Sequence, residues 1–332
     1  MWVRGYTLFK GRAPADALWG LLLGAVLASF WGKGGVGKTT LAAAAGLALR
    51  DRGLRVALVS TDPTPGLSRL LCPGGSAAPG MPVRCAGVDV VEASEEDVKE
   101  LWKKRFGDEV YLVVSSLLPV GREIIDYVAG APGIADQFMM YYVYTLAREG
   151  GYDVVVWDTP AAGGSLRMLR IEYELYSHMG EAARLYLRVK GVLERLRRRD
   201  EGKTPLELVE EWRELAKGIL DFLASPLHRL HLVATPDQLG VHVTKTLLRE
   251  FWLHGIEARR LIVNQLLDPG MCPGCRLLES WAQSQREALR VLQELRVRTC
   301  TVPLLGEEPR SVGQLARLAE LLEEQDCLDV GV

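Results

Sequence analysis

Gly32-Lys33-Gly34-Gly35-Val36-Gly37-Lys38-Thr39-Thr40 sets a lysine and two hydroxyl residues directly behind a glycine-rich loop. Glycines at these positions let backbone N–H groups turn inward and cradle phosphate oxygens. Lys38 then reaches the β- and γ-phosphates, and the Thr39 hydroxyl ligates Mg²⁺. The spacing satisfies G-x-x-x-x-G-K-[ST], with Lys33 as a second lysine after the first glycine. The alternative is a glycine-rich turn with no ligand.

Two acids supply further chemistry. Asp62 stands in Ser60-Thr61-Asp62-Pro63 and Asp158 in Asp158-Thr159-Pro160, each just past a β-branched run. Open α/β sheets place ligand chemistry at the carboxyl ends of their strands. Asp158 looks like a Walker-B aspartate that holds Mg²⁺ through water, and Asp62 like the group that orients or deprotonates the attacking water. Either acid has a plain alternative role as a helix N-cap.

Elements must bring these groups together. The apolar run Ala25–Trp31 reads as a buried strand, and Thr40-Leu41-Ala42-Ala43-Ala44-Ala45 opens a strong helix. Strand, loop and helix N-terminus thus line up as an anion site. Further strands are expected at Arg55–Ser60, Val88–Val91, Asp153–Trp157, Arg229–Ala234, Arg260–Asn264 and Thr299–Val302. About seven buried strands separated by helical stretches predict a doubly wound, mostly parallel α/β sheet of the P-loop type.

Helices dominate two blocks, Glu95–Gly150 and Leu166–Ser225. Leu185, Val189, Val192, Leu193 and Leu196 share one helix face. Thr204-Pro205-Leu206-Glu207 is a capping box ahead of the stripe Leu208, Trp212, Leu215, Ala216, Ile219 and Leu223. Such stripes mostly pack on each other and on the sheet. Arg197-Arg198-Arg199 reads as a solvated helix end. The expected division is a core of residues 17–94, 151–170 and 226–330, with a helical subdomain of 95–150 and 171–225. Residues 1–16 form an extension without an assigned role.

The 332 residues are 48% hydrophobic and 25% charged with a net charge of −2, so composition suits a globular protein and gives no signal for nucleic acid. Only one phosphate loop appears, which excludes a tandem two-ATPase chain. Ala17–Trp31 is apolar behind Arg4, Lys10 and Arg12, like a secretory signal. Cleavage there would remove the strand that positions the site, and the run is short for a membrane span. It reads as a short helix or turn followed by the first core strand. A cytoplasmic protein without stable membrane insertion is expected. In that setting the six cysteines are not expected to form a disulfide framework. Abundant Arg and Leu with sparse Gln and Asn point toward a thermophile, one setting where cytoplasmic disulfides do occur.

Lys33 marks the deviant P-loop ATPases, and four motifs in order resemble the ArsA/GET-type branch: arsenite-pump ATPases and the ATPases that deliver tail-anchored membrane proteins. They are Lys33–Thr40; Ser60-Thr61-Asp62-Pro63 with Leu67-Ser68; Asp158-Thr159 with Gly163, Leu166-Arg167 and Leu169; and Val263-Asn264-Gln265-Leu266-Leu267 running into Cys272-Pro273-Gly274-Cys275. Val302-Pro303-Leu304-Leu305 with Glu307 also fits. The similarity covers about residues 22–325 and suits an archaeal-like version with one domain set. The resemblance implies a homodimer with ATP across its interface and Lys33 touching the partner's nucleotide. It also implies that Asn264 reads adenine and that Pro303 lies along the base. The catalytic residues would be Asp62, Lys33 and Lys38. Departures stand in the switches: Pro65 and Gly164 replace family histidines, and Val243-Thr244-Lys245-Thr246 replaces Glu-Thr-x-Arg.

Cys272 and Cys275 have metal-ligand spacing, but structural zinc takes four ligands. A two-fold axis would supply the same pair from a second subunit, as the family's shared zinc implies. Redox-active or unligated cysteines and a shared iron–sulfur cluster are the alternatives. The function expected is a Mg²⁺-dependent ATPase switch that captures a client's transmembrane helix. Its candidate surface is the exposed part of the Val110–Val128 and Leu185–Leu223 stripes with Met139, Met140 and Met168. The rivals are an arsenite or anion pump ATPase, an iron–sulfur scaffold and a ParA/MinD-like partition ATPase.

Overall fold

The computed structural model describes residues 24–62, 66–72, 80–189 and 203–331. Its frame is an eight-stranded sheet in the order β3-β4-β2-β5-β1-β6-β7-β8. The strands are β1 (Val26–Gly32), β2 (Val56–Ser60), β3 (Val83–Cys85), β4 (Val88–Val91), β5 (Val154–Asp158), β6 (His228–Ala234), β7 (Ala258–Leu266) and β8 (Thr299–Pro303). All pairings are parallel except β3 with β4. The central strands are continuous apolar runs because helices cover both faces of a parallel sheet, so neither side of the pleat meets water. β5 is buried throughout and β1 at all but its first residue.

β3 is the strand that the β-branched pattern does not reveal. It is three residues long and carries Arg84. A hairpin creates it: Ala86 and Gly87 both have positive φ, 47° and 83°, the backbone of a tight two-residue turn between Cys85 and Val88.

On one face, α1 (Lys38–Asp51) and α10 (Val312–Glu324) pack with Phe30, Leu58 and Val156. Gly46 lets α1 approach the sheet, since a Cβ there would lie 2.5 Å from Leu58. On the other face Trp31 sits edge-on to Trp157 and Phe251, at 5.4 and 4.8 Å between ring centres. Helices α3 (Glu95–Leu117), α4 (Ile124–Ala129), α5 (Ile134–Glu149), α6 (Ala162–Val189) and α7 (Pro205–Ala224) gather on that side. Capping boxes start two of them, Ser94 with Asp97 for α3 and Thr204 with Glu207 for α7. The sheet is completed by α2 (Leu67–Leu71), α8 (Gln238–Leu253) and α9 (Arg276–Gln293).

Two expectations are corrected. Cys72 is bonded to Cys85 and Cys300 to Cys327, with Cα separations of 5.1 and 5.4 Å. The partners are 13 and 27 residues apart, and only the fold brings the end of α2 onto β3 and the chain after α10 onto β8. Second, Met139, Met140 and Met168 are buried, as are Leu208, Ala216, Ile219 and Leu223. They fill the contact between the helices and the sheet and cannot form a surface. The expectations for residues 1–16, the start of the Ala17 run, Pro63, Pro65 and Arg197–Arg199 fall outside the described residues. So do those for the side chains from Leu185 to Leu196.

Candidate nucleotide site

The site lies at the carboxyl ends of β1, β2 and β5. Gly32 ends β1 so close to β6 that a Cβ would stand 2.1 Å from the Val233 carbonyl oxygen. Gly35 and Gly37 have φ of 77° and 91°, a region glycine enters without strain. Gly37 is the N-cap of α1, so the loop delivers its N–H groups at a helix N-terminus.

Lys38 is buried, and its ammonium donates to the carbonyls of Gly32 and Lys33, each at 3.2 Å. Burial lowers its pKa, against the raising pull of Asp158 and Asp62. Thr39 and Ser60 both donate hydroxyl hydrogens to Asp158 Oδ2, at 2.9 and 3.0 Å. Asp158 Oδ1 is buried and has no hydrogen-bond partner among the described residues. Burial raises this carboxyl to about 6 despite the Thr39 and Ser60 bonds. A bound cation would satisfy the lone oxygen and restore the ionised form. Thr39 and Asp158 therefore fit a magnesium ion, which when bound would neutralise charge on the phosphate oxygens.

A cleft of about 470 Å³ runs from the loop past Asp62 and Asn264 to Pro303 and Glu307. It brings the glycines, Lys38, Thr39, Asp62, Asn264 and Pro303 onto one surface. Asn264 donates to the Val36 carbonyl at 2.8 Å and Gln265 to that of Gly35 at 3.3 Å. Lys33 lies to the side, 3.3 Å from Asp237. Asp237 caps α8 by accepting from the Gly240 N–H, and it also accepts from Thr235. Burial pushes the Asp237 carboxyl up, but these bonds and Lys33 outweigh it and lower its pKa.

A polar cleft of about 370 Å³ adjoins Asp62 on its other side. It meets Glu95 and Lys99 of α3 and the Asp136–Arg167 ion pair, closed at 2.8 Å between α5 and α6. Gly164, a departure in the second switch, stands in the first turn of α6 with its N–H bonded to the Ala161 carbonyl. Val243 lies mid-way along α8 against the core.

Asp237 joins this site although no sequence motif singles it out, while Ser60 and Gln265 stand inside motifs that assign them no role of their own. The cysteine pair opens α9, apart from the residues that line the cleft. Cys275 is its N-cap, and both thiols are free. A hydrogen bond with Cys275, then its charge, hold the Cys272 thiol above its ordinary pKa.

Comparison with known proteins decides the family. The anion-transporting ATPase family (ArsA ATPase) matches residues 26–324. The chain belongs to the ArsA ATPase family. It is 28% identical over 313 residues to an arsenical pump-driving ATPase of Aquifex aeolicus, covering 88% of this chain and 77% of that one. An ATPase get3 of Pyrenophora tritici-repentis is 26% identical over 306 residues, 88% and 89% of the two chains. An ATPase ASNA1 homolog of Trypanosoma cruzi is 27% identical over 323 residues, again 88% and 89%. This ArsA-family chain is thus an ATP hydrolase on an α/β P-loop fold. Among its described residues no helix is long and apolar enough to cross a membrane.

Proposed function

We propose that this ArsA-family ATPase is a Mg²⁺-dependent homodimeric switch that captures and delivers tail-anchored membrane proteins. The cysteine pair carries the reading. Among the described residues no group of three or more side chains can hold a metal, yet Cys272 and Cys275 stand free at the start of α9. A second copy would complete a four-thiolate zinc site. Leu277 and Trp281, one turn apart on α9, are 65% and 60% exposed and offer an apolar ridge for that partner to cover.

In this reading Lys38 and the loop amides bind phosphate, Thr39 and Asp158 hold magnesium, and Asp62 positions the water. Asn264 and Pro303 meet the base. Lys33 leaves Asp237 and enters the partner's site. Helices α3 to α7 act as the inserted client-binding subdomain. An apolar cleft of about 210 Å³ among them, with Trp102, Phe106, Val110, Met179 and Trp212 on its walls, is the candidate seat for a client helix. The tighter rival is the arsenite pump ATPase, and relatives carry both names. An arsenite site wants three nearby thiolates, whereas four of the six cysteines are paired in disulfides, which favours the targeting role.

Metal content and solution mass test the proposal. One zinc per two chains is expected, with twice the 36.7 kDa chain mass falling to one in Cys272→Ser. The purified dimer should then hold a transmembrane-helix peptide in ATP. A metal-free monomer sinks the shared site. Iron in place of zinc favours a cluster scaffold, and ATPase stimulation by arsenite favours the pump.

A further inference from the structure

Gln285 is a polar residue on the buried face of α9, in line with Ala282, Ala288 and Leu292. Both ends of its amide are engaged. Its Oε1 accepts from the Leu267 N–H at 2.7 Å, and its Nε2 donates to the Gln265 carbonyl at 3.1 Å. Beside those bonds, between Val263 and Leu266, the pairing of β7 with β8 shifts register, and Gln265 adopts φ of 62°. A side chain other than glycine is strained in that left-handed region, by roughly 1–3 kcal/mol, and holds it only when its surroundings insist. Gln285 ties the backbone at Gln265 and at Leu267 together across this stretch.

The bent end of β7 aims two amides at the phosphate loop: Asn264 at the Val36 carbonyl and Gln265 at the Gly35 carbonyl. In a trans peptide the C=O and the following N–H point in opposite directions. Holding the Gly35 and Val36 carbonyls outward therefore turns the N–H groups of Val36 and Gly37 inward. Gly37 has no slack, since a Cβ there would meet the Asn264 amide at 2.5 Å.

We infer that Gln285 is a positioning residue for ATP. It locks Gln265 in its left-handed conformation and thereby orients the loop amides that receive the phosphates. The inference rests on this loop being the ATP site. Gln285 touches no nucleotide itself, and it belongs to the same helix that Cys275 caps.

The test compares ATP affinity by calorimetry, KM, kcat and melting temperature in the full chain and in Gln285→Ala, Gln265→Ala and the double variant. Losing the hold on Gln265 should weaken ATP binding and raise KM about tenfold with kcat little changed. The double variant should be no worse than the more affected single one, because the Gln265 side chain reaches the loop only while Gln285 holds its backbone. Gln285→Glu keeps the Leu267 bond but turns an acceptor toward the Gln265 carbonyl, so it should raise KM in a chain that still melts cooperatively. That variant decides the matter if the alanine form does not fold. Unchanged affinity in the Gln285 variants, or multiplying effects in the double one, overturns the inference. A wild-type chain that fails to bind ATP instead removes the site reading on which it rests.

Discussion

At the residue scale, the two acids of the site differ in burial, Asp158 being buried and Asp62 half-buried. Asp158 has Oδ2 bonded to Thr39 and Ser60 and Oδ1 without a partner among the described residues, an arrangement that fits a cation. Asp62 borders both clefts. Asp62→Asn is expected to cut phosphate release by roughly 100-fold or more while ATP affinity changes little, as for loss of a group acting on the water. Thr39→Ala should weaken affinity for ATP when magnesium is present and leave magnesium-free binding nearly unchanged. Calorimetry with and without magnesium separates the two. A normal hydrolysis rate in Asp62→Asn would move the water-orienting role to another residue.

At the element scale, several helices depend on their first turn. The Thr204 hydroxyl accepts from the Glu207 N–H at 3.2 Å, and the Glu207 carboxylate accepts from the Thr204 N–H at 2.8 Å. Two N–H groups of the first turn are thereby satisfied at once. Thr204→Ala should cost about 1 kcal/mol, seen as a lower urea midpoint with an unchanged slope. This box was legible in four residues because it is local chemistry. The strands were legible for a similar reason: burial on both faces demands unbroken apolar runs. β3 was not, because three residues carry no period and its existence depends on the Ala86-Gly87 turn.

For the whole molecule, buried titratable groups set the pH range. His228 donates from Nδ1 to the Leu223 carbonyl and accepts at Nε2 from Ser29. His231 donates from Nδ1 to the Arg229 carbonyl and accepts at Nε2 from the Asp329 N–H. Burial holds both rings at about 4, below the ordinary 6.5. The unfolded chain then binds more protons between those values, so stability present above pH 6.5 is lost as pH falls toward 4. Glu172 has the opposite sign. It is buried, without a partner among the described residues, and burial raises it to about 8. The folded state keeps that proton, so its contribution fades from pH 4.5 upward and is gone above about 8. Glu172→Gln should remove that alkaline loss, and melting curves from pH 4 to 9 would reveal both limbs. A flat profile in the wild type would show that these groups meet water.

The disulfides also act at this scale. Each closes a loop of 13 or 27 residues and should contribute about 3 kcal/mol by restricting the unfolded chain. Reduction should lower the melting temperature, and a reduced protein that melts no earlier would contradict this.

The amino-acid order by itself determined the phosphate loop, the two acids at strand ends, the parallel sheet and the family, because each is carried by neighbouring residues or by a repeating pattern. Tertiary structure alone decided which cysteines pair, that Met139, Met140 and Met168 are core, and that Gln285 reaches the chain beside the loop. Those contacts join segments far apart in the chain. Their geometry depends on how the helices seat on the sheet, which no local spacing records.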